Sequence, residues 1–153
     1  MKVLFLDIDG VLNSREYMKK IGRGDVIDPR CVLYLNEVIN TTNCNIVVSS
    51  AWRNIHTWPE LLAILEDNGV NVKTFIGKTP DRFHQFKTRG DEIIEWIEDY
   101  SIRNDVDLTY AVVDDELTGL EKVIHRTVKT SFTDPNGGLN KEKAQELIKM
   151  LNT

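Results

Sequence analysis

The sequence predicts an α/β fold, a mostly parallel central sheet of about five strands between two layers of helix. Three observations predict it. Short, mainly apolar runs recur along the chain at Val3 to Leu6, Ile46 to Val48 and Leu108 to Val113, as strands buried on both faces do. Segments with apolar residues at helical spacing lie between them, the alternation expected of βαβ units. Residues able to do chemistry (Asp7, Ser49, Asp114) stand at the carboxyl ends of those runs, where open α/β sheets bind their ligands.

The first strand spans about Lys2 to Asp7. Asn13 to Val26 is polar and irregular, with Gly22 and Gly24, and reads as a loop or short flap. Asp28-Pro29 looks like an N-cap followed by proline in the first turn, and Val32, Leu35 and Ile39 give the helix behind it an apolar face. Ile46-Val47-Val48 is a second buried strand, ending in Ser49-Ser50-Ala51-Trp52-Arg53. Pro59 opens a helix carrying Leu61, Leu62, Ile64 and Leu65, and Asn68-Gly69 stops it. Val70 to Ile76 is the candidate third strand, and Gly77 to Thr88 reads as a loop. Asp91 to Tyr100 is an amphipathic helix with Ile93, Ile94, Trp96 and Ile97 inward. The fourth strand, Leu108 to Val113, ends in Asp114-Asp115-Glu116, and a short fifth is expected around Thr127 to Ser131. Asp134 to Gly138 is turn chemistry. The last helix runs from about Asn140 to Leu151, with Ala144, Leu147, Ile148 and Leu151 on one face. The expected whole is a single Rossmann-like three-layer sandwich over residues 1–153, without a large cap domain.

Composition narrows the function. The chain has 153 residues, enough for one core, and 19 basic against 24 acidic residues give a net charge of −5. Such a chain is not a strong nucleic-acid binder as a whole, although local basic patches still act. No apolar stretch approaches the length of a membrane span, and the apolar run after Lys2 is too short for a signal-peptide core. The expected location is the cytoplasm. Cys31 and Cys44 have neither metal-ligand spacing nor the numbers of a disulfide framework.

The strongest local feature is Asp7-Ile8-Asp9-Gly10-Val11-Leu12. Residues i and i+2 of a strand point the same way, so Asp7 and Asp9 would share a side. Like charges that close raise each other's pKa unless a cation intervenes, and an oxygen-seeking ion such as Mg²⁺ is the natural remedy. The plainer alternative is a solvated acidic turn.

This strand, with Gly-Val-Leu-Asn after it, resembles the nucleophile motif of the haloacid dehalogenase-like (HAD) phosphatase superfamily. The resemblance implies that Asp7 attacks phosphorus and that Asp9 is the general acid/base, its backbone carbonyl a metal ligand. Ser49 matches the second motif, a hydrogen-bond donor to phosphate; as a bare residue it reads equally as a helix N-cap. The N–H groups of Ser50 and Ala51 add donors if a helix starts nearby. Arg53 is either a fork donor to substrate phosphate or a surface arginine. The third motif is a cation balancing the aspartates: Arg89 is favoured because Arg-Gly-Asp-Glu-Ile-Ile opens a helix, and Lys87 stays a candidate because the family more often uses lysine. Asp114 and Asp115 match the acidic fourth motif, which implies Mg²⁺ ligands beside Asp7 and Asp9.

Ser-Ser-Ala-Trp-Arg and Arg-Gly-Asp-Glu-Ile together look closest to small HAD-type domains found in RNA-repair and polynucleotide end-processing contexts. Neither insertion point of the family leaves room here for a cap, and capless relatives tend to act on macromolecules. Between Lys73 and Arg89 lie Lys78, Arg82 and Lys87 against Asp81 alone, with Phe75, Phe83, His84 and Phe86 interleaved. That pattern suits a single-stranded backbone and its bases; the alternative is a solvated loop whose phenylalanines pack on the core. The expected activity is a Mg²⁺-dependent phosphatase acting on a phosphorylated substrate, by preference a polynucleotide 3′-phosphate. A nucleotidase or small-phosphoester phosphatase and a non-catalytic phospho-ligand or protein-binding module are the alternatives. Whether it works alone or beside a kinase or ligase repair partner is left open.

Overall fold

The structure is a computed structural model describing residues 1–153. Five strands form one all-parallel sheet: β1 (Lys2–Leu6), β2 (Asn45–Val48), β3 (Phe75–Lys78), β4 (Thr109–Asp114) and β5 (Thr127–Lys129), in the order β3-β2-β1-β4-β5. The chain builds outward from β1 through β2 to β3, then returns to lay β4 on the other side of β1. The topological switch point, where such sheets bind ligands, therefore lies between the carboxyl ends of β1 and β4.

Alternation along the strands builds two cores. Leu4, Leu6, Ile46, Val48, Ala111 and Val113 face the larger one, shared with α2 (Pro29–Thr42), α4 (Trp58–Asp67) and α6 (Lys141–Leu151). Val3, Phe5, Val47 and Val112 face the smaller one, covered by α5 (Arg89–Asn104) and the 3-10 turn Glu121–Arg126. Strands buried on both sides need apolar residues throughout, which is why these runs stand out in the sequence. Cap residues set the helix starts: Asp28 accepts from Arg30 N–H at 2.9 Å, Asn140 from Lys143 N–H at 2.9 Å, and Thr88 forms a capping box with Asp91 ahead of α5.

Three expectations are corrected. Asn13 to Val26 is not an irregular flap: it holds α1 (Arg15–Ile21), capped by Ser14, whose residues are all at least partly exposed. The third strand starts at Phe75 rather than Val70, because Val72–Thr74 closes a 3-10 turn capped by Asn71. Gly77 and Lys78 belong to that strand, and a 3-10 turn at Phe83–Gln85 follows within the stretch expected to be all loop. A four-residue helix, α3 (Trp52–Ile55), follows β2. No large cap covers the sheet's carboxyl edge. No helix is long and apolar enough to cross a membrane, and both cysteines are buried and free.

Candidate active site

The backbone ladder continues past the strand ends and lines up the acids. Asp7 N–H donates to Val113 O at 3.2 Å, Ser49 N–H to Leu6 O at 2.8 Å, and Thr130 N–H to Asp114 O at 3.0 Å. Asp7, Ser49 and Asp114 are thereby fixed side by side at the switch point. The chain then turns sharply at Gly10, whose φ of 80° lies in the left-handed region. A Cβ there would overlap the Asp115 carboxyl group, so this glycine is required both by the turn and by the close approach of β4's end.

One carboxylate oxygen from each of Asp7, Asp114 and Asp115 lies within 4.8 Å of the others. Asp114 is sealed below the surface: one oxygen accepts Glu116 N–H at 2.9 Å and the other accepts the Arg89 guanidinium. Arg89 also donates to Ser49 O at 2.9 Å, which ties the end of β2 to the end of β4. Burial, and then Asp114, push the Asp7 carboxyl up to about 8, against the pull of Arg89 and Ile8 N–H. Asp115 is raised too, by burial first and Asp114 next. Burial works against the charge on Arg89, but Asp114, Asp7 and Asp115 outweigh it and raise its pKa. With all three ionised, these carboxylates against one guanidinium leave two negative charges uncompensated. An all-oxygen donor set short of two positive charges fits a hard divalent cation such as Mg²⁺.

Above this floor opens a cleft of about 440 Å³, lined among others by Asp7, Asp9, Asp115, Arg89, Lys87 and Ser50. Asp9 is exposed at its edge. Ser49 stands just behind the wall, its buried Oγ without a hydrogen-bond partner. Ser50 Oγ accepts from Trp52 N–H at 3.2 Å, a serine turn that leads into α3, whose N-cap is Ala51. The N–H groups of Ser50 and Ala51 donate to no protein acceptor. Arg53 is neither a free fork nor a surface residue: it is buried, donating to Ser50 O at 2.7 Å and to Glu92 at 3.1 Å. Of the two candidate cations, Arg89 touches the aspartates, while Lys87 lines the rim without an ionic partner. Lys78 and Arg82 lie outside the cleft wall, Arg82 held by Glu95 at 2.8 Å, and Lys73 sits at the opposite end of β3. Phe83 and Phe86 are 76% and 96% exposed, so they do not pack on the core.

Two residues that position the site escaped sequence reasoning. Asn13, fully buried, accepts Gly10 N–H at 2.8 Å and donates to Asp9 at 3.0 Å and to Val26 O at 3.0 Å. An Asx side chain three residues after a turn glycine is the signal for such a bond. Glu92 is buried on α5 and accepts both Arg53 and the Arg82 N–H, the latter at 2.6 Å. No local pattern announces a pairing across 39 residues.

The family described as "HAD domain in Swiss Army Knife RNA repair proteins" matches residues 3–144, from the first residues of β1 into α6. No curated protein and no solved structure matches the chain closely enough to add a second comparison. With nearly the whole sheet inside that match and its acids gathered at the switch point, the chain belongs to the family of HAD domains of Swiss Army Knife RNA repair proteins.

Proposed function

We propose that the chain is a Mg²⁺-dependent phosphomonoester hydrolase working through an aspartyl-phosphate on Asp7, and that its preferred substrate is a polynucleotide end carrying a 3′-phosphate. The observation that carries this reading is the meeting of Asp7, Asp114, Asp115 and Arg89 at the base of a cleft that no cap covers. Membership of the HAD family implies a phosphatase-type hydrolase; the polynucleotide end rests on the family's RNA-repair setting and on a cleft open enough for a long chain.

Asp7 forms the bond to phosphorus as the bond from phosphorus to the leaving oxygen breaks, and Asp9 gives that oxygen its proton. Asp9 then takes a proton from water, the water oxygen attacks phosphorus, and the Asp7–phosphate bond breaks to release phosphate. Asn13 fixes Asp9 for both transfers. The free N–H groups of Ser50 and Ala51, with the unpartnered Ser49 hydroxyl, donate to the phosphoryl oxygens. Arg89 favours the ionised form of Asp7, and Lys87 offers charge at the rim. Mg²⁺, when held by Asp7, Asp9, Asp114 and Asp115, neutralises the clustered carboxylates and the phosphate charge. The test is Mg²⁺-dependent phosphate release from a 3′-phosphorylated oligonucleotide beside a small aryl phosphate. Preference for the oligonucleotide supports the reading; release from the aryl phosphate alone overturns the substrate, and release from neither overturns the activity.

A further inference from the structure

The turn over Arg82 to Lys87, on the rim of the cleft, combines a fixed backbone with uncovered side chains. Its base is anchored from three sides. Arg82 N–H donates to Glu92 at 2.6 Å, the Arg82 guanidinium grips Glu95, and Phe83 N–H donates to Asp81 at 3.0 Å, which in turn accepts Asn54 at 2.9 Å. Phe86 N–H and Lys87 N–H close back onto the carbonyls of Phe83 and Arg82 at 3.0 and 3.2 Å. Phe86 is held at a φ of 58°, a left-handed conformation that a bulky residue adopts only under compulsion. Yet Phe83, which lines the cleft, and Phe86 leave 76% and 96% of their surfaces in water. Two phenylalanines within four residues, carried into solvent by an anchored backbone beside the cleft, mark a surface that something else covers.

Charge narrows the choice of what covers it. Asp7, Asp9, Asp81, Glu92 and Asp115 line the cleft against Arg53, Lys87 and Arg89, and Arg53 is already paired with Glu92. Arg82 on the turn is likewise paired with Glu95. This wall does not attract a polyanion by its net charge. What the rim offers instead is aromatic faces, with the His84 ring set edge-on to Phe83 at 5.7 Å and Lys87 beside them. A nucleobase has the flat π-surface that such faces bind without regard to sequence. We propose that Phe83 and Phe86 form a stacking platform for the unpaired bases next to the terminal phosphate, so that the cleft selects single-stranded polynucleotide ends. This rests on the hydrolase reading for the place of the phosphate but not for the stacking itself. A base paired in a duplex is stacked on its own neighbours and does not reach the platform.

The test compares 3′-phosphorylated oligonucleotides whose last nucleotides carry bases or are abasic, and the same strand recessed in a duplex. Binding is read by fluorescence anisotropy in Asp7→Asn and in wild-type chain kept free of divalent ions. Turnover is read as kcat/KM in chains that retain Asp7. Removing the bases is expected to weaken binding and kcat/KM by about five- to a hundredfold. Phe83→Ala with Phe86→Ala erases that difference, and Phe83→Tyr with Phe86→Tyr keeps it. Circular dichroism confirms that each variant is folded. Equal affinity of the wild-type chain for abasic and base-bearing ends overturns the platform, as does a preference that survives in the double alanine variant. So does tighter binding of a phosphopeptide than of the oligonucleotide. Base-dependent binding without any turnover upholds the platform and sinks the hydrolase; turnover indifferent to the bases does the reverse.

Discussion

The floor of the cleft and its rim are built on opposite plans. On the floor, Asp7, Ser49 and Asp114 are held by the sheet itself, through hydrogen bonds that continue the ladder past the strand ends, and Arg89 reaches them from the start of α5. Charge is crowded there and water is scarce, so Asp7 is raised to about 8. On the rim, the turn over Arg82 to Lys87 hangs from the side chains of Glu92 and Glu95 on α5, and its aromatic residues face solvent. The contrast separates what each part does. An electrostatically strained floor suits chemistry that needs a cation, whereas a rim of exposed aromatic rings suits recognition of something flat.

The floor can be broken most completely at Asp7. Asp7→Asn removes the nucleophile and is expected to lower kcat by at least about 10⁴-fold. It also removes one of three repelling carboxylates, so the cation-free variant should melt no lower than the wild type. Steady-state kinetics and a thermal melt check both halves.

Between floor and rim stands the buried Arg53–Glu92 pair. Glu92→Ala strands Arg53 without its partner, which costs about 3–5 kcal/mol of stability, and it frees the Arg82 N–H. Urea unfolding reads the first effect; a loss no larger than that of a surface substitution would show that the pair does not hold the rim to the fold.

The pH dependence sharpens the same contrast. An unfolded aspartate gives up its proton near pH 4, whereas Asp7 in the folded chain keeps its proton up to about 8. The folded state binds more protons between those values. Stability of the cation-free protein that is present below about pH 4 is therefore lost as pH rises through about 8. Saturating Mg²⁺ should return about 2.7 kcal/mol at a hundredfold excess over its Kd, with a larger rise in melting temperature near pH 8 than near pH 5, where protons compete with the ion. An equal rise at both pH values would contradict the charge deficit of the floor.

The smallest expected effect comes from Asn13→Ala. It leaves the buried Gly10 N–H unpaired and Asp9 unguided, for about 1–3 kcal/mol of stability and roughly a tenfold fall in kcat if Asp9 transfers the proton. A kcat unchanged while stability falls would restrict Asn13 to the turn.

The parts legible in the sequence are those fixed by local pattern. β1, β2 and β4 are apolar on both faces, so their ends, and with them Asp7, Ser49 and Asp114, could be placed within a residue. Asp28-Pro29 gave the start of α2, and the apolar face of Ala144, Leu147, Ile148 and Leu151 gave α6. α1 went unseen because it buries nothing and so carries no apolar stripe. β3 was set too early because Val70 and Val72 have strand-like composition, but Val70 lies in the link after α4 and Val72 in a 3-10 turn. On the rim, phenylalanines that would ordinarily be buried are exposed, and Arg53 and Arg82 are neutralised by Glu92 and Glu95 on α5. Those pairings depend on how α5 packs against the sheet, which no local window of sequence contains.

The most direct measurement is transfer of labelled phosphate from a 3′-phosphorylated oligonucleotide to the chain, stopped with acid in the presence of Mg²⁺. An acyl-phosphate on Asp7 predicts label on the protein that hydroxylamine removes and that Asp7→Asn does not acquire. Phosphate release at the wild-type rate by Asp7→Asn, with no label ever on the chain, would contradict the role given to Asp7.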